Sequence, residues 1–203
     1  MESFITQFIE SYGYLAVFSL IFIENIFPPI PSEVILLIGG FFVGRGMLGM
    51  GASILFATLG SVVGAYLLYG IGRLVPKEKI YNWTEKGWMK KLGFKKHEIE
   101  MVVDKFESKG KILVLAGRCI PIVRSLISIP AGMVKMKLPT FTLLTALGSL
   151  IWNTILVYLG YVTGENWHIV IHYFDLYKYV IVVILAILLV AYLIWHFNNK
   201  KAQ

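Results

Sequence analysis

The chain has 203 residues, of which 57% are hydrophobic and only 15% charged, and its formal net charge is +7. A typical soluble domain carries about 45–50% apolar and about 25% charged residues, so this composition excludes an ordinary water-soluble domain and places the chain in the membrane class. The positive charge does not describe a nucleic-acid surface, because the lysines gather in one loop between apolar segments and no aromatic-plus-basic module accompanies them.

Met1 to Tyr12 carries Phe4, Ile5, Phe8 and Ile9 at helical spacing with Glu2, Gln7 and Glu10 between them. This predicts a short amphipathic interfacial helix. The segment lacks the basic region and small-residue cleavage site of a signal peptide and reads as mature sequence; without Lys or Arg, it is expected on the non-cytoplasmic side.

Gly13 to Ile23 is apolar, but as a helix it covers only about 17 Å, short of the roughly 30 Å hydrocarbon core. It runs into Glu24-Asn25-Ile26-Phe27-Pro28-Pro29-Ile30-Pro31-Ser32-Glu33. Pro28, Pro29 and Pro31 end any helix. Ser32 is placed to cap the next one, with Glu33 in its first turn at the positive dipole end. Val34 to Val43 then returns, ending at Gly44-Arg45-Gly46. Residues of about 13–45 are therefore expected to form a re-entrant helical hairpin rather than one kinked span, since irregular backbone at membrane depth needs protein or a water-filled cavity around it.

Residues 53–75 are long enough to span a bilayer, and Gly60 and Gly64 form a small-xxx-small pair that lets another helix approach. Pro76 to Lys111 holds ten lysines against six acids. Ile99, Val102, Val103 and Phe106 recur there at helical spacing, so 76–110 is expected to be a cytoplasmic amphipathic segment. The stretch 111–137 is mostly apolar yet carries Arg118 and Arg124, is broken by Pro121 and Pro130, and is loosened by Gly117 and Gly132. A guanidinium at a bilayer centre costs roughly 2.5–3.5 kcal/mol on insertion scales. A second re-entrant hairpin, entering from the opposite side, is the expectation. Residues 140–162 and 179–197 complete the spans, separated by an external loop whose Trp167, Tyr173, Tyr177 and Tyr179 suit an interfacial belt; Lys200 and Lys201 hold the C-terminus inside.

The expected fold is therefore a single domain over 1–203, an all-α integral membrane protein. It has three full transmembrane helices plus two opposed re-entrant helical hairpins, an inverted repeat, together with amphipathic interfacial helices. Glu24, Glu33, Arg118 and Arg124 are the four ionisable residues set deep in apolar sequence. They could pair merely to hold the fold, but buried ion pairs offer little net stability against apolar replacements. Arginine forks instead match phosphate oxygens. An anion that competes for an arginine drives the partner carboxylate to take a proton, so substrate and proton binding become coupled.

Gly117-Arg118-Cys119-Ile120-Pro121-Ile122-Val123-Arg124 followed by Pro130-Ala131-Gly132 resembles the GRFxPxxR…PAG signature of the DedA family, whose shared region is also called the VTT or SNARE-associated domain. Glu24-Asn25, Pro31 and Glu33 resemble that family's acidic motif. The resemblance covers roughly Tyr12 to Val162; Cys119 stands where an aromatic is usual. It implies a lipid-carrier transporter of the bacterial cytoplasmic membrane that returns undecaprenyl phosphate across the bilayer, with Arg118 and Arg124 binding phosphate and Glu24 and Glu33 pairing with them or exchanging protons. Broad phospholipid scrambling and a non-transporting homeostasis or assembly role are the alternatives, and a homo-oligomer is left open. His168 and His172 have metal-ligand spacing but no evident third ligand beyond Glu165 or Asp175, and no buried serine among Ser32, Ser125 and Ser128 has an obvious base. No metal, cofactor or catalysis is expected, and Cys119 is expected to be a packed small residue.

Overall fold

The structure is a computed structural model that describes residues 2–27, 31–74, 96–121 and 123–166. Pro28, Pro29, the segment 76–95, the external loop with His168 and His172, the span 179–197 and Lys200 and Lys201 lie outside the described residues. Every regular element described is helical: α1 (Glu2–Tyr12), α2 (Tyr14–Ile26), α3 (Ser32–Gly44), α4 (Met50–Leu74), α5 (Lys96–Gly117), α6 (Val123–Leu126), α7 (Ser128–Met133) and α8 (Leu138–Thr163), closed by a 3₁₀ turn at Gly164–Asn166.

α1 follows its predicted amphipathicity. Ile5 and Ile9 are buried in the core while Phe4 and Tyr12 are exposed, and Phe8 stacks on Phe4. Gly13, with φ 56°, bends the chain from α1 into α2, a backbone that a residue with a Cβ adopts only at a cost. α3 is apolar nearly all round and buried nearly all round: Ile35, Leu36, Leu37 and Ile38 are fully enclosed, as expected for a helix at the centre of a bundle. Pro31 is the N-cap of α3 and Ser32 its first helical residue, with no side-chain cap. The capping role expected of Ser32 is therefore corrected: its hydroxyl turns inward and accepts from Arg124.

α5 also departs from expectation. One continuous helix runs from Lys96 through Lys111 to Gly117, across the boundary placed between the lysine-rich segment and the second hairpin. No proline interrupts it, and Gly110 alone costs a helix only about 1 kcal/mol. The chain breaks instead after Gly117, through Pro121, and restarts as α6 and α7. Pro130 does not break α7 but sits in its first turn, where a missing N–H is tolerated.

α4 and α8 are the two described helices long and apolar enough to cross a membrane. Their polarity is inside out. Leu55, Leu59, Leu67 and Ile71 on α4 and Leu143, Leu147, Ile151 and Ile155 on α8 are exposed, whereas Ser53, Ser61, Thr145, Ser149 and Asn153 are buried. Small and polar residues facing inward with leucines facing outward is the pattern of helices packed in lipid.

The packing is reciprocal. α2 lies on α4 and α5 on α8; α3 lies on α8 and α7 on α4. The same close approaches occur in both halves. A Cβ on Gly40 would strike the backbone of Val157 and Tyr161, and one on Gly132 would strike that of Tyr69 and Arg73; one on Gly160 meets Leu37, and one on Gly72 meets Ile129. Gly60 admits the backbone of Phe18, and Gly148 that of Leu115. The register that carries Gly40 onto Gly132 also carries Leu37 onto Ile129, and that which carries Gly60 onto Gly148 carries Gly72 onto Gly160. Two apolar clusters result, one around α1, α2, α3 and the end of α8, the other around Tyr69, Phe106, Val114 and Phe141.

Gly72→Ala and Gly132→Ala should each destabilise the fold by about 1–3 kcal/mol, the usual cost of overpacking. Gly51→Ala, with open space around it, should be neutral or slightly stabilising. Thermal unfolding in detergent reads the difference; equal melting temperatures for all three variants would contradict this packing.

Candidate functional site

The polar site lies where α2 and α3 meet the α5–α7 region. α2 ends by presenting Glu24 and Asn25 on adjacent positions, and both are buried. α3 opens with Ser32 and Glu33, also buried. Arg118 follows the end of α5 and is 1% exposed; Arg124 and Ser125 lie on α6, with Arg124 2% exposed. Ser128 starts α7, and Thr145 reaches in from α8.

The two arginines are held differently. Arg124 Nη2 makes an ion pair with Glu24 Oε2 at 3.3 Å, and its Nη1 donates to Ser32 Oγ at 3.0 Å. Glu24 also accepts from Ser125 Oγ at 3.3 Å and from Asn25 Nδ2 at 3.2 Å. Among the described residues, Arg118 contacts no carboxylate. Its Nη2 donates to Ser128 Oγ at 2.8 Å and lies 3.5 Å from Thr145 Oγ1. Its Nη1 donates to Asn25 Oδ1 at 3.3 Å, its Cζ lies 6.0 Å from the Phe141 ring centroid, and its Nε has no acceptor among the described residues. Asn25 thus bridges the halves: its amide nitrogen also donates to Ile21 O at 2.9 Å, fixing the ring of contacts to α2.

Glycines decide how close these groups come. A Cβ on Gly148 would lie 2.7 Å from that of Arg118, and one on Gly64 would lie 2.6 Å from that of Asn25. A Cβ on Gly117 would press on Ile127 and Val123, so that glycine lets the return of α6 and α7 fold against the end of α5. The site therefore rests on both long helices, and α8 also contributes Thr145 to it.

Of the four ionisable residues singled out in the sequence, Glu24, Arg118 and Arg124 form one connected network through Asn25. Glu33, the second residue of α3, is buried next to Ser32 of that network. Pro31 caps α3 and Pro121 is buried in the turn after α5. Sequence reasoning missed Asn25, Ser125, Ser128 and Thr145 as site residues. A signal existed for Thr145: with Ser149 and Asn153 it forms a polar stripe at four-residue spacing on an otherwise apolar helix. Cys119 is half-buried, with Sγ 3.9 Å from Leu115 O and Gly148 O, a packed position.

Chemically, the arrangement holds one cation compensated by direct contact and one held only by neutral oxygens and a ring face. A phosphate oxygen entering here could take over the hydroxyl and amide contacts of Arg118, and then draw Arg124 from Glu24.

The VTT domain family matches residues 30–162. The "Alkaline phosphatase-like protein" of Lactococcus lactis subsp. lactis (strain IL1403) is 46% identical over 190 residues, covering 94% of this chain and 89% of that protein. "Undecaprenyl phosphate transporter A" of Staphylococcus aureus (strain NCTC 8325 / PS 47) is 32% identical over 203 residues, 99% of this chain and 98% of that protein. The protein of the same name from Bacillus subtilis (strain 168) is 31% identical over 190 residues, 94% and 91% of the two chains. No solved structure matches the chain.

Removing one member of a buried ion pair costs about 3–5 kcal/mol, whereas replacing both with apolar residues of similar volume is often neutral or stabilising. Arg124→Leu should therefore lower stability markedly, and adding Glu24→Leu should restore much of it. Thermal melts of the purified single and double variants check this. A double variant no more stable than the single would show that the pair is not the unit described.

Proposed function

The chain belongs to the VTT-domain (DedA) family, and from that premise we propose that it carries a polyprenyl phosphate, undecaprenyl phosphate in the first instance, from the outer to the inner leaflet of a bacterial cytoplasmic membrane. The observation that carries this reading is Arg118: a guanidinium 1% exposed, held by neutral acceptors alone, beside a second arginine. Buried charge without a contacting counter-charge is costly; a site that must accept a phosphate gives a reason to retain it. Arg118 and Arg124 bind the phosphate, and the polyprenyl tail stays in the bilayer between helices, so only the headgroup needs a polar path.

On this reading α2–α3 and α5–α7 are two opposed re-entrant hairpins, and α4, α8 and residues 179–197 are the full spans of one domain over 1–203. The outward leucines of α4 and α8 and the reciprocal glycine contacts support it. Pro31 and Pro121, with Gly117, shape the breaks at the hairpin tips, and Gly132 lets α7 pack closely on α4. The lysine-rich segment and the C-terminus face the cytoplasm by the positive-inside rule. The protein is a transporter and not an enzyme.

Glu24 and Glu33 give the transport a proton dependence. Protonating Glu24 removes the anion that competes with the phosphate for Arg124, so falling pH favours substrate binding. Substrate binding in turn favours protonation, because the coupling is reciprocal. A glutamine at either position mimics the protonated carboxyl and should flatten the pH profile of transport.

The test is leaflet exchange of a labelled polyprenyl phosphate in vesicles carrying the full chain. Arg118→Ala should abolish exchange in a protein that still inserts and melts cooperatively. Arg118→Lys should impair it by at least about ten-fold, because an ammonium lacks the planar fork. Full exchange by Arg118→Ala would remove the binding role, and an unchanged pH profile in Glu24→Gln and Glu33→Gln would remove the proton role. Equal exchange of a labelled zwitterionic phospholipid by the wild type would replace this reading with a broad scramblase.

A further inference from the structure

A second basic feature stands apart from the buried arginines. A cavity of about 730 Å³ opens between the middle of α5 and the loop that leads into α8, lined by Phe106, Lys109, Lys111, Met136, Lys137 and Thr140 among others. Its volume is within the usual range for small-molecule sites, about 300–1,000 Å³. Three lysines from two elements converge on it, and α8 begins there with Lys137 as an N-cap that makes no side-chain cap. The positive end of the helix dipole adds to the attraction for an anion. Lys111 lies about 9 Å along α5 from its end at Gly117, so the cavity is not the arginine site.

The scaffold around the cavity is fixed. Tyr69 Oη donates to Met136 O at 2.6 Å, and Met136 N donates to Ala131 O at 3.1 Å. The loop carrying Lys137 is therefore tied to α4 and α7. Lys135 holds a left-handed backbone, φ 52°, a conformation that costs a residue with a Cβ energy and marks a loop held by its surroundings.

We propose that this cavity is a second phosphate site, for the headgroup of an anionic phospholipid in the leaflet facing the lysine-rich side. The lining argues for lipid over free phosphate. Phe106, Ile112, Val134 and Met136 supply apolar wall beside the lysines, and Ile112 at 69% and Leu138 at 45% exposure continue it outward. A headgroup held by Lys109, Lys111 and Lys137 would leave its acyl chains against that apolar rim. Basic pockets between helices on the cytoplasmic side of membrane proteins have this chemistry. The inference takes from the proposed function only that the chain sits in a bilayer.

The probe is phosphatidylglycerol, with phosphatidylcholine and inorganic phosphate as comparators, titrated onto the detergent-purified full chain and read by native mass spectrometry. The wild type should retain phosphatidylglycerol in preference to phosphatidylcholine. Each basic residue contributes about five-fold to affinity for an anionic lipid, so Lys109→Gln, Lys111→Gln and Lys137→Gln together should weaken retention by roughly 100-fold. The corresponding Lys→Arg triple, which keeps the charge, should retain it and so controls for folding. Arg118→Ala should leave phosphatidylglycerol retention unchanged even where it abolishes polyprenyl phosphate exchange, which separates the failure of either site from that of the other. No preference over phosphatidylcholine, or equal retention by the Gln triple, would overturn the proposal. Displacement by inorganic phosphate at equal concentration would also overturn it, in favour of a free-phosphate site.

Discussion

The structure depends on keeping two guanidiniums out of water. Each carries a desolvation penalty of several kcal/mol that only good geometry and further hydrogen bonds offset. Arg124 meets that demand with Glu24 and Ser32. Arg118 meets it only in part, with Asn25, Ser128, Thr145 and the Phe141 face, and its Nε finds no acceptor among the described residues. These partners come from α2, α3, α7 and α8, so enclosing two side chains requires four elements to meet. Helix ends meet there rather than helix middles because a broken chain can bring Glu24, Ser32, Arg118 and Arg124 to one place, while an unbroken helix would carry successive residues past it at 1.5 Å each.

Helix ends can approach so closely only where the long helices allow it. Gly64 lets α4 admit Asn25, and Gly148 lets α8 admit Arg118. Without those approaches, Asn25 and Arg118 could not come within reach of each other. The close packing of α3 on α8 and of α7 on α4, each through paired glycines, holds the ends in place from behind. Packing and electrostatics are thus one constraint: dispersion contacts between backbones position the hydrogen bonds that make the buried charges tolerable.

Much of this was legible in the sequence. Clustered prolines marked the interruption between α2 and α3, and Pro121 that after α5. Leucine-rich runs with inward glycines marked α4 and α8, and charge within apolar sequence marked Glu24, Glu33, Arg118 and Arg124. What escaped has a common physical origin. Ser32 has the residue type and position of an N-cap, and local reasoning assigns it to the nearest backbone amides. A buried guanidinium from another element competes for the same hydroxyl and wins. Asn25 and Ser128 look like minor polar interruptions until a partner distant in sequence explains them. The continuity of α5 through Lys111 was hidden because composition changes there while helix propensity does not.

The reciprocal packing explains one asymmetry that composition alone does not. The register that carries Gly40 onto Gly132 also carries Ser32 onto Arg124, and these two equivalent positions touch each other. A contact between equivalents lies on the local two-fold relation, so whatever stands at one position faces its own counterpart. Arginine at both would set two guanidiniums face to face in a dry interior; serine at both would leave Glu24 without its cation. Serine against arginine avoids the repulsion and keeps the ion pair. The same register sets Glu33 against Ser125, so the acidic and basic roles are divided between the halves. The two halves therefore differ where equivalent positions meet, Ser32 against Arg124, and stay alike at the glycine approaches.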